Sequence, residues 1–296
     1  MCSSDLFDPN LKRFVAIKFL LHGGAAKNDR AAKRFSREAG IYARLNHPNI
    51  VKVYELGTFQ LNPYIVMEYV EGDTLLRYFE KNALSLSQKL KIVYNVVRAV
   101  EYAHHAQILH RDIKPSNIMV RTNGEPVLMD FGLGKTMGEK DRSLTKTGEM
   151  IGSPHYMSPE QAEGRRKEID ERTDVYGLGS VLSHVLTGRP PVEAESMLQL
   201  IYQVSAIPPI PVRSLSPDVH PYLEQLCMKS LEKKKENRQP TVKALADGLQ
   251  LYLKNRHAMP KTYGVKRFAQ NARRSYLIHR SDRKSTRLNS SHVSQS

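Results

Sequence analysis

Between residues 14 and 20 the chain alternates. Val15 and Ile17 fall on one face of an extended segment, and Ala16 and Lys18 on the other. After residue 29 the period lengthens. Phe35, Ala39, Tyr42 and Leu45 recur at spacings of three and four, which predicts an amphipathic helix that stops ahead of Asn46, His47 and Pro48. Glu38 shares that inward stripe, away from the basic face of Arg30, Lys33, Arg34 and Arg37. An inward carboxylate needs a cation, and Lys18 is the natural candidate, with an intrahelical surface pair as the alternative. Strand-like runs follow at 51–56 and 64–69, then a short joint of Val70, Glu71, Gly72 and Asp73.

Beyond the joint the pattern is helical. Ser85 and Gln88 form a capping-box start, and the helix behind it buries Ile92, Val93, Val96, Val97, Val100 and Ala103. Val127, Leu128 and Met129 read as a short buried strand that presents Asp130. Thr173 opens a helix that is apolar nearly all round, through Val181, Leu182, Val185 and Leu186. Such a helix belongs in the middle of a domain, and Gly188 and Pro190 end it. Ser216 and Pro217 predict another helix start, a cap followed by a first-turn proline. A final helix is expected from Thr241 to Lys254.

The chain has 296 residues, enough for one large domain or two lobes, and 40% hydrophobic with 25% charged residues is ordinary for a globular protein. Of the two cysteines only Cys227 lies away from the extreme N-terminus. A disulfide framework is therefore excluded and a reducing, cytoplasmic setting fits. No run of about 18 apolar residues is present. The net charge of +15 is concentrated late, in Lys254, Arg256, Lys261, Lys266, Arg267, Arg273, Arg274 and Arg280. Residues 256–281 read as a solvated basic linker, or as the cytoplasmic flank of a membrane anchor lying further on. Without zinc spacing or an aromatic RNA motif, nucleic acid is not the expected partner. Both ends look foreign. Residues 282–292 resemble the translation of a short-read sequencing adapter, and residues 1–6 its reverse complement. The expectation is that 1–6 and 282–296 are scars that do not pack, around a natural fragment at 7–281.

The chemistry sits in one short stretch. His110, Arg111 and Asp112 are followed by Lys114 and Asn117, then by Asp130, Phe131 and Gly132. An acceptor for a hydroxyl proton and two oxygen ligands for magnesium are what phosphoryl transfer from a nucleotide requires. The spacing H-R-D-x-x-x-x-N then D-F-G resembles the protein-kinase signature. Val15 to Lys18 form the V-A-I-K motif, and Ser158, Pro159 and Glu160 stand where that family has A-P-E. From Val15 to about Leu253 the chain resembles the eukaryotic-like Ser/Thr protein kinases of bacteria. The resemblance implies an α+β, bilobal kinase-like fold over residues 7–255. A small antiparallel sheet with one helix would end near Glu68, and a mainly helical lobe would span 74–255.

It also implies roles. Asp112 would be the catalytic base or hydroxyl orienter, and Lys114 would contact the transferred phosphate. Asn117 and Asp130 would hold Mg2+, and Lys18, held by Glu38, would anchor the ATP phosphates. Ala16, Met67, Met119 and the backbone of Glu68 and Val70 would surround the adenine. Glu160 is expected to pair with Arg238, and Asp174 to brace the catalytic loop. His110 and Phe131 are expected to pack. Arg111 beside the base wants an anion, which a phosphorylated Thr145 or Thr147 would supply. Ser153 replaces the more usual threonine of the segment. The implied partners are proteins bearing Ser or Thr, with self-association for autophosphorylation.

The departure is at the front. The G-x-G-x-x-G loop and its strands, expected ahead of Val15, do not occur, and Gly23 and Gly24 follow Lys18 instead of preceding it. The chain as it stands is therefore expected to be a poor kinase with an unpaired sheet edge beside residues 15–20. The alternative to an active Ser/Thr kinase is an impaired kinase-fold scaffold. A small-molecule phosphotransferase fits less well with Lys114 and the long segment ending in Ser158, Pro159 and Glu160.

Overall fold

The computed structural model describes residues 3–8, 12–19, 40, 44–59, 62–131, 154–256 and 258. Strands β1 (Ser3–Asp8), β2 (Arg13–Phe19), β3 (Val53–Phe59) and β4 (Asn62–Glu68) form an antiparallel sheet in the order β1-β2-β4-β3. In the β2–β4 ladder Ala16 stands opposite Met67 and Lys18 opposite Ile65. Cross-strand partners share a face, so the face carrying Ala16 and Lys18 also carries two well-buried apolar residues, Ile65 and Met67.

The edge expected to be bare is covered. β1 pairs with β2 from Ser3↔Lys18 to Asp8↔Arg13, so part of the segment expected not to pack is in the sheet. The physical reason is that an edge strand offers a row of main-chain donors and acceptors, and pairing them makes little demand on side-chain identity. The helix expected before residue 45 lies outside the described residues, except for helical Gly40.

Strand β5 (Gly72–Thr74) pairs with β6 (Ile118–Arg121), and β6 with β7 (Pro126–Leu128), in a second three-stranded sheet. The helical lobe contains α1 (Leu75–Lys81), α2 (Leu86–His105), α3 (Pro159–Ala162), α4 (Glu171–Thr187), α5 (Met197–Ala206), α6 (Val212–Leu215), α7 (Pro221–Ser230) and α8 (Val242–Asn255). The Ser85 capping box is present, with Ser85 Oγ accepting from the Gln88 N–H and Gln88 Oε1 from the Ser85 N–H. Thr241 caps α8.

One expected start moves. Ser216 is the C-cap of α6, and α7 begins at Pro221 with His220 as N-cap. A helix begun at Pro217 would carry Pro221 in its interior, where the missing N–H and the ring clash break the ladder. Starting at Pro221 removes that conflict and buries Leu223 and Cys227.

Helix α4 is the centre of the large core. Tyr176, Leu178 and Leu182 are fully buried, and the two leucines each contribute about 1.5–3 kcal/mol relative to exposure. It passes directly under the loop that carries Asp112. A Cβ on Gly177 would lie 3.0 Å from Ile113 Cβ, tighter than nearly all real contacts. Gly188, at φ +78°, ends the helix in the left-handed conformation that suits glycine.

The segment before β3 is fastened to the helical lobe. Val51 N–H donates to Leu128 O (3.0 Å) and Leu128 N–H to Asn49 O (2.8 Å). The Asn49 amide donates to Pro126 O (2.7 Å). β7, whose end delivers Asp130, is thus shared by the two halves.

Candidate active site

Asp112 lies on the loop between α2 and β6, and that loop hangs on Asp174 of α4. The backbone N–H of His110 donates to Asp174 Oδ2 (2.7 Å) and that of Arg111 to Oδ1 (2.7 Å). His104, near the end of α2, adds a third bond from Nε2 to Oδ2 (2.8 Å). Burial alone would raise the Asp174 carboxyl. The His104 bond and charge, and His110, outweigh it and hold the group below its ordinary value of 3.8. This hub fixes Arg111 at φ +63°, a left-handed conformation uncommon outside glycine.

His110 is fully buried, and its tautomer follows from its partners. The Asp112 N–H donates to Nδ1 (3.2 Å), so the proton is on Nε2, which donates to Met129 O (2.8 Å). Burial pushes its pKa down, which keeps the ring neutral. Its ring packs against Phe131 at 4.6 Å between centroids, so both residues pack as expected.

Around the Asp112 carboxylate the predicted residues come together. The Asn117 amide donates to Asp112 O (2.8 Å) and to Oδ2 (3.0 Å). That orientation turns Asn117 Oδ1 away from Asp112. Lys114 Nζ is 3.0 Å from Asp112 Oδ2. Met129 N–H donates to Asn117 O (2.8 Å), which fixes the backbone one residue before Asp130 to Asn117. Asp130 itself is left-handed, at φ +56°. Lys18 reaches across from β2, its ammonium 2.6 Å from Asp130 Oδ1. Glu38, Thr145 and Thr147 lie outside the described residues.

Ala16, on the Lys18 face of β2, packs into a buried apolar cluster. Met67, Val70, Val51, Ile65 and Val127 form one buried cluster, with Ala16, Met119 and Met129 packed against it. The Glu68 N–H is taken by Lys52 O (2.8 Å) and is not available to a ligand. Its side chain pairs with Arg121 on β6 (2.6 Å).

The far wall is the segment 154–160. Glu160 and Arg238 form the expected ion pair, bidentate at 2.8 and 2.9 Å and almost wholly buried. Burial would raise Glu160, but Arg238, with help from Thr173, holds it below 4.5. Gln161 donates to Arg111 O (2.6 Å) and so ties this segment to the catalytic loop.

His104, Gln161 and Arg121 are functional supports that the sequence reading did not assign. His104 had a signal. It follows Val97 and Val100 at seven and four residues on the inward stripe of α2, where a polar side chain needs a partner.

Two carboxylates, an asparagine and a lysine gathered between a small sheet and a helical lobe are an arrangement of kinase architecture. The chain matches the protein kinase domain over residues 5–248, and it belongs to that family. It is 38% identical over 239 residues to serine/threonine-protein kinase PknB of Mycolicibacterium smegmatis, covering 79% of this chain and 38% of that protein. The PknB of Mycobacterium tuberculosis gives the same identity and coverage. The chain therefore spans under two fifths of the length of these relatives. Among solved structures, the kinase domain of Mycobacterium tuberculosis PknI is similar with a TM-score of 0.64 and 27% identity, over 82% of this chain and 86% of that one.

Among the described residues no helix is long and apolar enough to cross a membrane.

Proposed function

We propose that this chain is a protein Ser/Thr kinase that transfers the γ-phosphoryl group of ATP, with Mg2+, to hydroxyls of protein substrates. The observation that carries this reading is the convergence on one carboxylate. Asp112 is held by Asn117 and Lys114, while Asp130 meets Lys18 and follows Met129, whose N–H bonds Asn117 O. Asn117 Oδ1 and the Asp130 carboxylate are hard oxygen donors of the kind magnesium prefers. Asp130 already carries a cationic partner in the Lys18 ammonium, so the donor set fits the ion. When bound, Mg2+ supplies charge neutralisation for the phosphate oxygens.

The chain's own residues do the rest. Asp112 orients the acceptor hydroxyl and takes its proton. Lys114, 3.0 Å from Asp112, is placed to meet the phosphoryl group as it moves to that hydroxyl. Lys18 binds the α and β phosphates, with Glu38 as its second partner. Ala16, Met67, Val70 and Met119 enclose the adenine, and the Glu68 carbonyl and Val70 N–H meet its edge. Arg111 couples the loop to phosphorylation at Thr145 or Thr147. Names of the relatives support the Ser/Thr assignment, as does Lys114.

The test is radiolabel transfer from ATP to a generic basic protein. Asp130→Asn should lower turnover by about 10²-fold or more while leaving the fold intact. Near-normal turnover in that variant would sink the magnesium assignment.

A further inference from the structure

The backbone that carries Asp112 is bonded on both sides. The Arg111 N–H donates to Asp174 Oδ1 (2.7 Å). The next peptide plane joins Arg111 to Asp112 and is held at both ends. Its N–H, on Asp112, donates to His110 Nδ1 (3.2 Å), and its oxygen, on Arg111, accepts from Gln161 Nε2 (2.6 Å). A peptide unit is planar and stiff. A side chain that holds its oxygen therefore also sets the direction in which the Asp112 Cα leaves it. Asp174 and His110 belong to the hub under the loop, whereas Gln161 belongs to the segment that forms the far wall.

The Gln161 amide is divided between two tasks. Its Oε1 accepts from the Ser158 N–H and from Ser158 Oγ, both at 3.2 Å, and so caps the start of α3. With the oxygen committed there, the NH2 group faces Arg111 O. The base of this strut is firm. Ser158 and Glu160 are buried, and Glu160 is locked to Arg238 and Thr173. Just upstream, His155 Nδ1 donates to Val192 O (2.9 Å), and the Tyr156 hydroxyl lies 2.7 Å from His184 Nδ1.

We infer that Gln161 is a positioning residue for phosphoryl transfer. Its amide holds the Arg111–Asp112 peptide plane and makes the aim of Asp112 depend on the seating of the segment 154–161. This inference rests on the kinase reading of Asp112.

Substitutions at this position separate the two tasks. Gln161→Glu keeps an acceptor for Ser158 but has no hydrogen to give Arg111 O. Gln161→Lys keeps a donor and loses the acceptor. Gln161→Met loses both.

The experiment uses the whole chain. It measures single-turnover transfer to a Ser-containing peptide, the KM for ATP, the Tm, and hydrogen exchange at the Asp112 amide corrected for intrinsic rate. Turnover should fall about tenfold in Gln161→Glu and in Gln161→Met, part of the roughly 10²-fold that a displacement of about 1 Å costs. Protection of the Asp112 amide should fall in the same two variants, because its N–H is the other end of the freed plane. Gln161→Lys should restore both relative to Gln161→Met. The Tm should divide the variants differently, falling in Gln161→Lys and Gln161→Met, which lose the cap, and holding in Gln161→Glu. The KM for ATP should not rise, because Lys18 and the Met67 cluster stand on other elements.

A merely structural Gln161 would make turnover follow the Tm. That pattern, with Gln161→Glu as active as wild type and Gln161→Lys as poor as Gln161→Met, would overturn the proposal. So would wild-type exchange at the Asp112 amide in Gln161→Glu. If no form phosphorylates any peptide, the kinase reading fails instead, and the Asp112 exchange profile alone decides whether Gln161 holds the plane.

Discussion

Replacing Asp174 with asparagine tests whether the catalytic loop is held by one buried carboxylate. Asp174 accepts from two backbone donors, His110 N–H on Oδ2 and Arg111 N–H on Oδ1, and from His104 on Oδ2. Asparagine has one acceptor oxygen. If it keeps the Oδ2 partners, its NH2 group points at the Arg111 N–H. One charge-assisted bond is lost, about 1.5–3 kcal/mol, and a buried donor is left without a partner, so the total is about 3 kcal/mol. That is a large share of the roughly 5–15 kcal/mol that holds a domain together. It corresponds to a fall in Tm of about 6–12 °C for a domain of this size. The function should suffer as well. Arg111 sits at φ +63°, and the Oδ1 bond to its N–H is one of the contacts that offset the cost of that conformation. As the loop relaxes, Asp112 shifts, and a displacement of about 1 Å at a reacting group costs about 10²-fold in kcat. Thermal unfolding and single-turnover transfer measure the two effects separately. A variant with a Tm within about 2 °C of wild type and unchanged kcat would refute the claim that Asp174 holds the loop.

Arg238→Ala strips the partner from a buried Glu160 and should cost about 3–5 kcal/mol at neutral pH. In the wild type the Glu160 pKa lies below 4.5, so its contribution is present above 4.5 and lost as pH falls through the lowered value. Without Arg238, burial dominates and raises that pKa. The variant should then recover stability on acidification, and urea titrations at two pH values that show the same loss at both would contradict this. Thr145→Ala combined with Thr147→Ala should lower activity markedly, and phosphopeptide mapping of the wild type should find phosphate on one of them. Full activity in the double variant would remove loop control. Lys18→Met and Asp112→Asn should each reduce turnover by orders of magnitude with little change in Tm.

Motifs tied to backbone chemistry were readable in the sequence. The His110-to-Asp130 spacing, the Ser85 capping box and the Glu160–Arg238 pair each reflect a local rule or a motif resemblance. What escaped depends on which of two equivalent local signals the tertiary structure selects. Ser216 with Pro217 and His220 with Pro221 both offer a cap and a first-turn proline, and only the intolerance of an interior proline chooses the second. The β2 edge was expected to be bare because the glycine-rich loop and its strands do not occur ahead of Val15 and residues 1–6 read as a foreign scar. Main-chain pairing makes little demand on side-chain identity. Tyr156 and His184 are 28 residues apart and belong to elements whose contact no periodicity reports.

The two halves of the site are built to different standards of rigidity. Asp112 and Asn117 are fixed by bonds within the helical lobe, to Asp174, to His110 and to each other. Lys18 comes from the small sheet, and its position depends on how that sheet sits on the helical lobe. Among the described residues the links across that boundary include the Asn49–Leu128 pairing and the Asn49 amide bond to Pro126 beside β7 and the Glu68–Arg121 ion pair. Each stands next in sequence to a member of the buried Met67–Val127 cluster or beside it. The sheet is therefore pinned where adenine would lie, while Lys18 is held at the other end by Asp130 alone among the described partners. One Asp130 oxygen cannot serve both the ammonium and a divalent cation at full strength. In the proposed reading a cation held by Asp130 would weaken that carboxylate's hold on Lys18, and phosphates would give Lys18 a new partner. Nucleotide and cation should for this reason each bind better in the presence of the other, without any movement of the catalytic loop.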